Sequence, residues 1–255
     1  MAIFIGTAGF DTLTGSELAD LIIGLAGDDI LSGLGGNDLI LGGEGDDILD
    51  GGNRNDLVFG ASGNDSLLGG NGKDILGGGA GSDSMGGGAG DDIMSGGDGD
   101  DQLAGDDFLS SSGSTGAAGN DILNGGAGSD DLAGELGADT LTGGGDPLEA
   151  DVFFYFSPAE GGDTITDFGV NIDKILVIGP SFGGQLVAGQ LPDAQFNYGI
   201  MATEADDRFI YDNVVGSSMG TLFYDIDGMG GTEQVAIASL LGVPPLTAND
   251  ILVFG

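Results

Sequence analysis

The 255-residue sequence contains no cysteine and no histidine. Without cysteine there are no disulfides and no thiolate ligands, and without either residue a zinc site lacks its usual nitrogen and sulfur ligands. The absence of histidine also excludes a serine–histidine–aspartate triad and an HExxH zinc motif, and the absence of cysteine excludes a thiol nucleophile. These absences remove the commonest hydrolase chemistries from the functions that this sequence can support.

Basic residues and long apolar runs are also scarce. The sequence has four lysines and arginines against 42 aspartates and glutamates, which gives a formal charge of −38. Such a surface repels nucleic acid and anionic membranes and attracts cations. No apolar run reaches the ~18 residues that indicate a membrane span. The first residues, MAIFIG, lack the basic start and the long apolar stretch of a conventional signal peptide, so any export signal is expected elsewhere.

Glycine, by contrast, is abundant, and its 56 copies follow a nine-residue period that begins at Gly6. Each repeat has the pattern GGxGxDxUx, in which U is a large apolar residue, and the series continues to Ala104. After an interruption the pattern returns as GAAGNDILN, GGAGSDDLA and GELGADTLT. A period this strict predicts a solenoid in which each repeat forms one structural unit. The sixth position is aspartate in every repeat: Asp11, Asp20, Asp29, Asp38, Asp47, Asp56, Asp65, Asp74, Asp83, Asp92, Asp101, Asp121, Asp130 and Asp139.

The repeat predicts its own local geometry. Its first six positions suit a turn, because glycine tolerates a positive φ, and its last three suit a short strand. The apolar eighth side chain should face the core, while the seventh and ninth point outward. Two repeats then close one coil of about 18 residues, and successive coils stack about 4.8 Å apart. Aspartates should stack as well, Asp11 over Asp29 over Asp47 on one edge and Asp20 over Asp38 on the other.

Stacked carboxylates repel each other, and the few basic residues cannot neutralise them. We therefore expect a hard cation between the coils, held by the repeat aspartates and by backbone carbonyls of the turns. Ca²⁺ accepts six to eight oxygen ligands in flexible geometry, whereas Mg²⁺ demands a strict octahedron. The sequence thus predicts several bound calcium ions. One buried apolar side chain per repeat cannot offset the entropy of ordering nine residues, so we expect the metal-free repeats to be disordered.

Some repeats depart from the pattern. The first two, in which Phe10 and Ala19 precede the aspartate, are predicted to be the weakest calcium sites, and Arg54 is expected to displace an ion in part. Residues other than glycine stand at the second position of several repeats and at the fourth position of two. The second-position residues are Thr7, Ser16, Leu25, Leu34, Ala61, Ala117 and Glu135, and the fourth-position residues are Leu18 and Arg54.

Over about residues 6–154 these repeats closely resemble the RTX (repeats-in-toxin, haemolysin-type) calcium-binding nonapeptide. The resemblance implies an all-β fold, a right-handed parallel β-roll stapled by calcium, with an antiparallel β capping region at its C-terminal end. The tail, with DTITDFGVNIDKILVI, RFIYD, GTLFYDIDG and NDILVF, is similar to the C-terminal region of secreted serralysins. That similarity implies an uncleaved signal for the type I secretion machinery, with Asp250 ahead of residues 251–254, and a secreted or cell-surface location.

The expected organisation has two parts. Residues 1–156 form the roll, with a loop insertion at 105–121 and with Asp151 and Phe153 holding the sixth and eighth positions of a degraded repeat. Residues 157–255, in which glycine is rarer and strands are longer, form the capping and secretion-signal region. Such a cap is expected because an open solenoid end exposes core and unpaired strand edges.

The outward positions of alternate repeats predict a second feature. One face of the roll is clearly more apolar than the other, which favours self-association or partner binding. The alternatives are that the chain's own loop or cap covers this face, or that isoleucine and leucine are present there for strand propensity. The residues of this face at the seventh position are Leu21, Leu39, Leu57, Ile75 and Ile93.

These observations predict a secreted calcium-binding protein that folds outside the cell and has a structural or adhesive role in a surface layer or matrix. We expect no catalytic activity, because the catalytic side chains named above are missing and the repeats begin close to Met1. The alternatives are a carbohydrate-directed β-roll module and a non-catalytic relative of an RTX protease, lipase or epimerase.

Overall fold

The computed structural model describes residues 1–106, 118–145, 148–183, 186–204, 206–213, 217–227 and 234–255, so most of the predicted insertion lies outside the described residues. The described chain is almost entirely β-structure, arranged in two long sheets. Consecutive strands of the repeat region alternate between the sheets, so each pair of strands completes one coil of a parallel solenoid. The predicted all-β parallel roll is confirmed.

The first sheet, called sheet A here, contains mainly the odd-numbered strands. Its strands occur in the spatial order β1-β3-β5-β7-β9-β11-β13-β15-β17-β23-β22-β21-β20. Their bounds are β1 (Ile3–Ile5), β3 (Leu21–Ala26), β5 (Leu39–Glu44), β7 (Leu57–Ser62), β9 (Ile75–Ala80), β11 (Ile93–Asp98), β13 (Ile122–Ala127), β15 (Thr140–Gly144), β17 (Asp163–Ile165), β20 (Phe196–Tyr198), β21 (Phe209–Asp212), β22 (Met219–Asp225) and β23 (Gln234–Leu241).

The second sheet, sheet B, has the order β19-β24-β18-β16-β14-β12-β10-β8-β6-β4-β2. Its strands are β2 (Thr12–Thr14), β4 (Ile30–Ser32), β6 (Ile48–Asn53), β8 (Ser66–Asn71), β10 (Ser84–Ala89), β12 (Gln102–Ala104), β14 (Asp131–Ala133), β16 (Val152–Tyr155), β18 (Lys174–Ile178), β19 (Gly189–Gln190) and β24 (Ile251–Phe254). One short α-helix, Gly179–Phe182, and 3-10 turns at Pro158–Glu160, Asp193–Gln195 and Ala248–Asp250 connect the later strands. Within the described residues no helix is long and apolar enough to cross a bilayer.

The nine-residue period sets the register between coils. Outside the insertion and the last, degraded repeats, each repeat strand pairs in parallel with the strand 18 residues further on, as Leu39 does with Leu57 and Ile40 with Val58. The eighth-position side chains point between the two sheets, and from Ile22 to Leu141 they are at most 3% exposed. The core is therefore one apolar residue wide on each side, and the phenylalanines and tyrosines near residues 153–224 widen it at the C-terminal end.

Five of the substituted glycine positions hold their residues in strained backbone. Leu25, Leu34, Ala61 and Glu135 at the second position, and Arg54 at the fourth, all have positive φ, between 65° and 92°. Such angles suit glycine, because a Cβ atom crowds the backbone there. The turn geometry is thus imposed by the stacking of coils and overrides the preference of these side chains.

The parallel ladders continue past residue 156, further than the repeats do. Strand β17 pairs in parallel with β15, and β18 with β16. Strands β23 and β24 then add one more parallel row to sheets A and B. Among the described residues, antiparallel pairing, expected from residue 157, occurs only where β22 joins β21 and β23 and where β19 joins β24. The reason is that DTI and KILVI keep the alternating apolar pattern that continues the core. The division into two domains at 156/157 stays a prediction.

Candidate calcium sites

The repeat aspartates form two columns along the edges of the roll, as predicted. In each column the backbone N–H of one aspartate donates to Oδ1 of the aspartate in the next coil, and Asp20 to Asp38, at 2.7 Å, is typical. The first column contains Asp11, Asp29, Asp47, Asp65, Asp83, Asp101, Asp130, Asp151 and Asp173. The second contains Asp20, Asp38, Asp56, Asp74, Asp92, Asp121, Asp139 and Asp163.

The second carboxylate oxygen, Oδ2, has a different environment. In most repeats this atom is buried and accepts no hydrogen bond from the described residues. A buried oxygen of a charged group without a donor is costly, so it points to a missing positive partner. The repeat aspartates with such an orphaned Oδ2 are Asp29, Asp38, Asp47, Asp56, Asp65, Asp74, Asp83, Asp92, Asp101, Asp121, Asp130 and Asp139.

The first glycine of each repeat explains where these oxygens point. A Cβ atom added to Gly33 would lie 2.5 Å from Oδ2 of Asp38 and 2.5 Å from the carbonyl oxygen of Gly51 in the next coil. Gly51 repeats the arrangement with Asp56 and Gly69, at 2.8 and 2.6 Å. Only glycine leaves this space free, and a carboxylate oxygen and a carbonyl oxygen converge on it. We call each such space a cradle.

The cradle suits calcium. Its donors are hard oxygens from one carboxylate and from the backbone, which is the donor set that Ca²⁺ prefers. Among the described residues no group of three acidic side chains is placed to hold a metal ion together, so the remaining ligands of an ion here would be backbone carbonyls and water. Zinc is disfavoured by the lack of nitrogen and sulfur ligands.

The two N-terminal cradles are closed by the protein itself. Oδ2 of Asp11 accepts hydrogen bonds from the backbone N–H and the hydroxyl of Thr7, at 2.5 and 2.9 Å. Oδ2 of Asp20 is held in the same way by Ser16, at 2.8 and 2.6 Å. In these two repeats a hydroxyl group donates to Oδ2, whereas in most later repeats Oδ2 has no donor. That the first two repeats are the weakest sites, and that each repeat aspartate is a calcium ligand, stay predictions.

The cradles also change at the C-terminal end of the repeats. At Gly134 the three atoms nearest to an added Cβ all belong to Asp139, and at Gly143 they all belong to Asp151. At these two glycines no carbonyl oxygen of the following coil is among the three nearest atoms, as it is in the earlier repeats. The cradles that keep both oxygens and an orphaned Oδ2, called open cradles below, are those of Asp29, Asp38, Asp47, Asp56, Asp65, Asp74, Asp83, Asp92, Asp101, Asp121 and Asp130.

The insertion changes which glycine completes a cradle. In the sequence, Gly116 opens the repeat of Asp121, but in the structure Gly105 does so, with the carbonyl oxygen of Gly134 as the second donor. The N–H of Asp92 still donates to Oδ1 of Asp121, although 29 residues separate the two instead of 18. The columns therefore stay in register across the insertion.

In the sequence, Asp151 is recognisable as a column position but is not predicted to be a ligand, and Asp163 and Asp173 are not predicted at all. The structure adds all three to the columns, at 3.0 to 3.1 Å from the donating N–H. Each is followed two positions later by a buried apolar residue, Phe153, Ile165 or Ile175. That spacing is the part of the repeat that survives once the glycines are lost, and it could have revealed them.

Burial makes the bare columns electrostatically unfavourable. It raises the pKa of Asp65 and of Asp74 to about 6, of Asp56 to about 7 and of Asp92 to about 8, and neighbouring carboxylates raise several of these further. At neutral pH the folded columns therefore hold protons or bind cations more readily than a solvated aspartate does. A cation at the orphaned Oδ2 removes this penalty.

Comparison with known proteins agrees with this geometry. The family of the RTX calcium-binding nonapeptide repeat matches in four copies, at residues 14–49, 50–85, 78–108 and 115–146. No curated protein matches the chain.

Two solved structures are similar in part. The extracellular lipase LipA from Serratia marcescens is 16% identical, with a TM-score of 0.38 over 99% of this chain and 40% of the lipase. This chain therefore spans about two fifths of the lipase's length. The AlgE6R3 subunit of the Azotobacter vinelandii mannuronan C5-epimerase is 27% identical, with a TM-score of 0.21 over 69% of this chain and 80% of that subunit.

The repeat pattern, the parallel coils and the oxygen-lined cradles between them agree with the family match. The chain belongs to the RTX calcium-binding repeat proteins, whose nonapeptides bind several calcium ions.

Proposed function

We propose that this protein is secreted and folds when calcium binds to the open cradles outside the cell. The observation that carries the proposal is the orphaned, buried Oδ2 that faces a backbone carbonyl oxygen across a missing Cβ in each open cradle. When bound, calcium supplies the positive charge that these oxygens lack. In the folded coil a backbone N–H group holds the other oxygen of the carboxylate, so the ion and the backbone together satisfy both oxygens.

Calcium dependence fits the export of an unfolded chain. The cytosol holds little free calcium, whereas extracellular modules bind it with dissociation constants of about 10⁻⁴–10⁻³ M. The proposed secretion signal follows Asp250, and Ile251 and Val253 are buried in sheet B once the chain is folded. We therefore infer that the type I secretion machinery reads this segment in the metal-free chain, before the last row of the sheet forms.

The proposed role outside the cell is structural or adhesive rather than catalytic. The sequence supports this through the absence of histidine and cysteine. The apolar face of sheet A supports it too, since Leu57, Ile75 and Ile93 remain 39%, 39% and 45% exposed. Parallel rows of exposed apolar side chains suit a second copy that presents the same face. We propose that two rolls associate through it.

The first experiment is a calcium titration followed by far-UV circular dichroism and sedimentation velocity. The proposal expects strand signal and compactness to appear together with calcium and to disappear with EGTA. Strand signal that is unchanged by EGTA at pH 8 would contradict calcium-driven folding.

The second experiment tests the apolar face separately. Leu39→Asp combined with Leu57→Asp is compared with the parent by light scattering in calcium. We expect the parent to be larger than one chain and the variant to be a single chain. Ser66→Asp combined with Leu68→Asp, on sheet B, is the matched control. A parent of single-chain mass would refute association and would leave calcium-driven folding untouched.

A further inference from the structure

A cavity of about 240 Å³ lies on the outer face of sheet B, away from the cradles. It is bordered by strands β12, β14 and β16 and by the residues that follow β16. No repeat function accounts for it, because the outward positions of the roll neither fill the core nor supply calcium ligands.

The ninth-position column of sheet B creates the hollow. Leu68 pairs with Gly86, Gly86 with Ala104, and Ala104 with Ala133. Phe154, at the same outward position of the next strand, ends this run of small residues. Between Leu68 and Phe154 this column therefore has almost no side-chain bulk, and its alanines are buried, with Ala104 2% and Ala133 7% exposed.

The walls of the cavity combine aromatic rings with acids. The rings of Phe154 and Phe156 are stacked, with centroids 6.3 Å apart and planes inclined by 21°, and Phe156 is 42% exposed. The half-buried Asp131 and Glu135 bring carboxylates to the same cavity, and Ala133 lies between them in the chain. The described lining contains no basic residue.

This combination selects for one ligand chemistry. Aromatic faces attract cations through their quadrupole, and adjacent carboxylates add a net negative potential. A small, strongly hydrated metal ion gains little from phenylalanine walls, whereas a weakly hydrated organic cation gains from both the rings and the acids. The cavity is smaller than a typical drug-sized pocket, so it fits a group of about side-chain size.

We propose that this cavity binds an organic cation, either a guanidinium or a quaternary ammonium group. This cation is carried either by a basic side chain of another protein or by a free small molecule. Both would present the same cationic group to the cavity. The proposal concerns a different surface from the cradles and needs the roll only as a folded scaffold.

The test uses the full chain saturated with calcium at physiological ionic strength, with isothermal titration calorimetry as the readout. The probes are agmatine for the guanidinium, choline for the quaternary ammonium, and 3,3-dimethyl-1-butanol as the neutral isostere of choline. A short arginine-containing peptide tests the protein source. We expect saturable binding of at least one cation and none of the isostere.

Variants locate the binding. Asp131→Asn and Phe156→Ala are each expected to weaken the cation at least tenfold. Asp50→Asn removes the same charge from the same outer face, away from the cavity, and is expected to change the affinity less than twofold. Circular dichroism in calcium confirms that each variant folds.

Several results would overturn the proposal. If the neutral isostere binds as well as choline, the cavity recognises apolar groups and not a cation. If Asp50→Asn weakens binding as much as Asp131→Asn does, the attraction is a diffuse effect of the net charge. Binding of a neutral oligosaccharide in place of the cations would assign the cavity to a different ligand class. The comparison of probes on the unchanged protein decides the question even if a variant fails to fold.

Discussion

Because the buried carboxylates of the columns need a positive partner, replacing them with neutral amides should remove the need for calcium. We consider the triple variant Asp56→Asn, Asp74→Asn and Asp92→Asn, which neutralises three successive positions of the second column. Each asparagine keeps an oxygen that can accept the N–H of the preceding coil. Its amide N–H₂ can donate to the carbonyl oxygen that Oδ2 faces in the cradle. We expect the variant to form far more strand structure without calcium at pH 8 than the parent does.

The magnitude follows from the pKa values. An unfolded aspartate has a pKa of about 3.9, and each unit of difference between the folded and unfolded states is worth about 1.4 kcal/mol. Asp74, with a pKa of about 6 in the folded coil, therefore costs about 3 kcal/mol when ionised, and Asp56, with a pKa of about 7, costs about 4 kcal/mol. Whole domains are stable by only about 5–15 kcal/mol, so a few such groups suffice to unfold the metal-free roll.

The sign of the pH dependence is the same for every raised carboxylate. Because the folded state binds the proton more tightly than the unfolded chain, stability falls as the pH rises from about 4 through the folded pKa values of about 6 to 8. Acid should therefore restore strand structure to the metal-free parent protein between pH 8 and pH 5. Calcium affinity should fall over the same interval, since protons and calcium compete for the same oxygens.

The assay is circular dichroism of EGTA-treated protein between pH 8 and pH 5, with sedimentation velocity to exclude aggregation near the sequence pI of about 4.1. The matched control is Asp28→Asn, Asp46→Asn and Asp100→Asn, which removes the same charge from exposed fifth-position aspartates. If the control folds without calcium as readily as the column variant, general charge repulsion decides the effect and the column argument is refuted. A parent protein that shows full strand signal in EGTA at pH 8 refutes it as well.

Three further predictions concern single residues. Arg54→Gly relieves a φ of 81° and should raise the unfolding free energy in calcium by roughly 1 kcal/mol; a lower denaturation midpoint would show that the arginine side chain stabilises the turn. Leu76→Ala should lower the unfolding free energy in calcium by about 2–5 kcal/mol. Ile75→Ala, at the exposed neighbouring position, should change it by at most about 0.5 kcal/mol. Asp65→Asn should remove one calcium ion in equilibrium dialysis and Asp20→Asn none, and an equal loss would contradict the closure of the first cradles by hydroxyls.

The period alone was enough to predict most of the roll. With aspartate at every sixth position and an apolar residue at every eighth, only one register buries Ile40 beside Val58 and stacks Asp38 on Asp56. The turn residues Leu25 and Arg54 follow this register despite their positive φ, because neighbouring coils fix the backbone on both sides.

The features that could not be predicted from the sequence depend on contacts between distant residues. Nothing local indicates that Ile251 pairs with Ile175, since the pairing joins segments on either side of an antiparallel excursion. Likewise, the repeat pattern predicts Gly116 in the cradle of Asp121, whereas in the structure Gly105 occupies that position. The hydroxyl closure by Thr7 and Ser16 required side-chain geometry, because a second-position substitution such as Leu25 or Ala61 looks equivalent in sequence.

The step from 18 to 29 residues between Asp92 and Asp121 has a consequence for how such chains can diversify. Strand pairing before and after the connection between β12 and β13 is the same as elsewhere, as Ile93 with Ile122 shows. Each coil of a solenoid contacts only its neighbours, so added length between two strands does not require the rest of the core to repack. Foreign peptides or whole modules can therefore be grafted into this connection without changing the pairing of the coils.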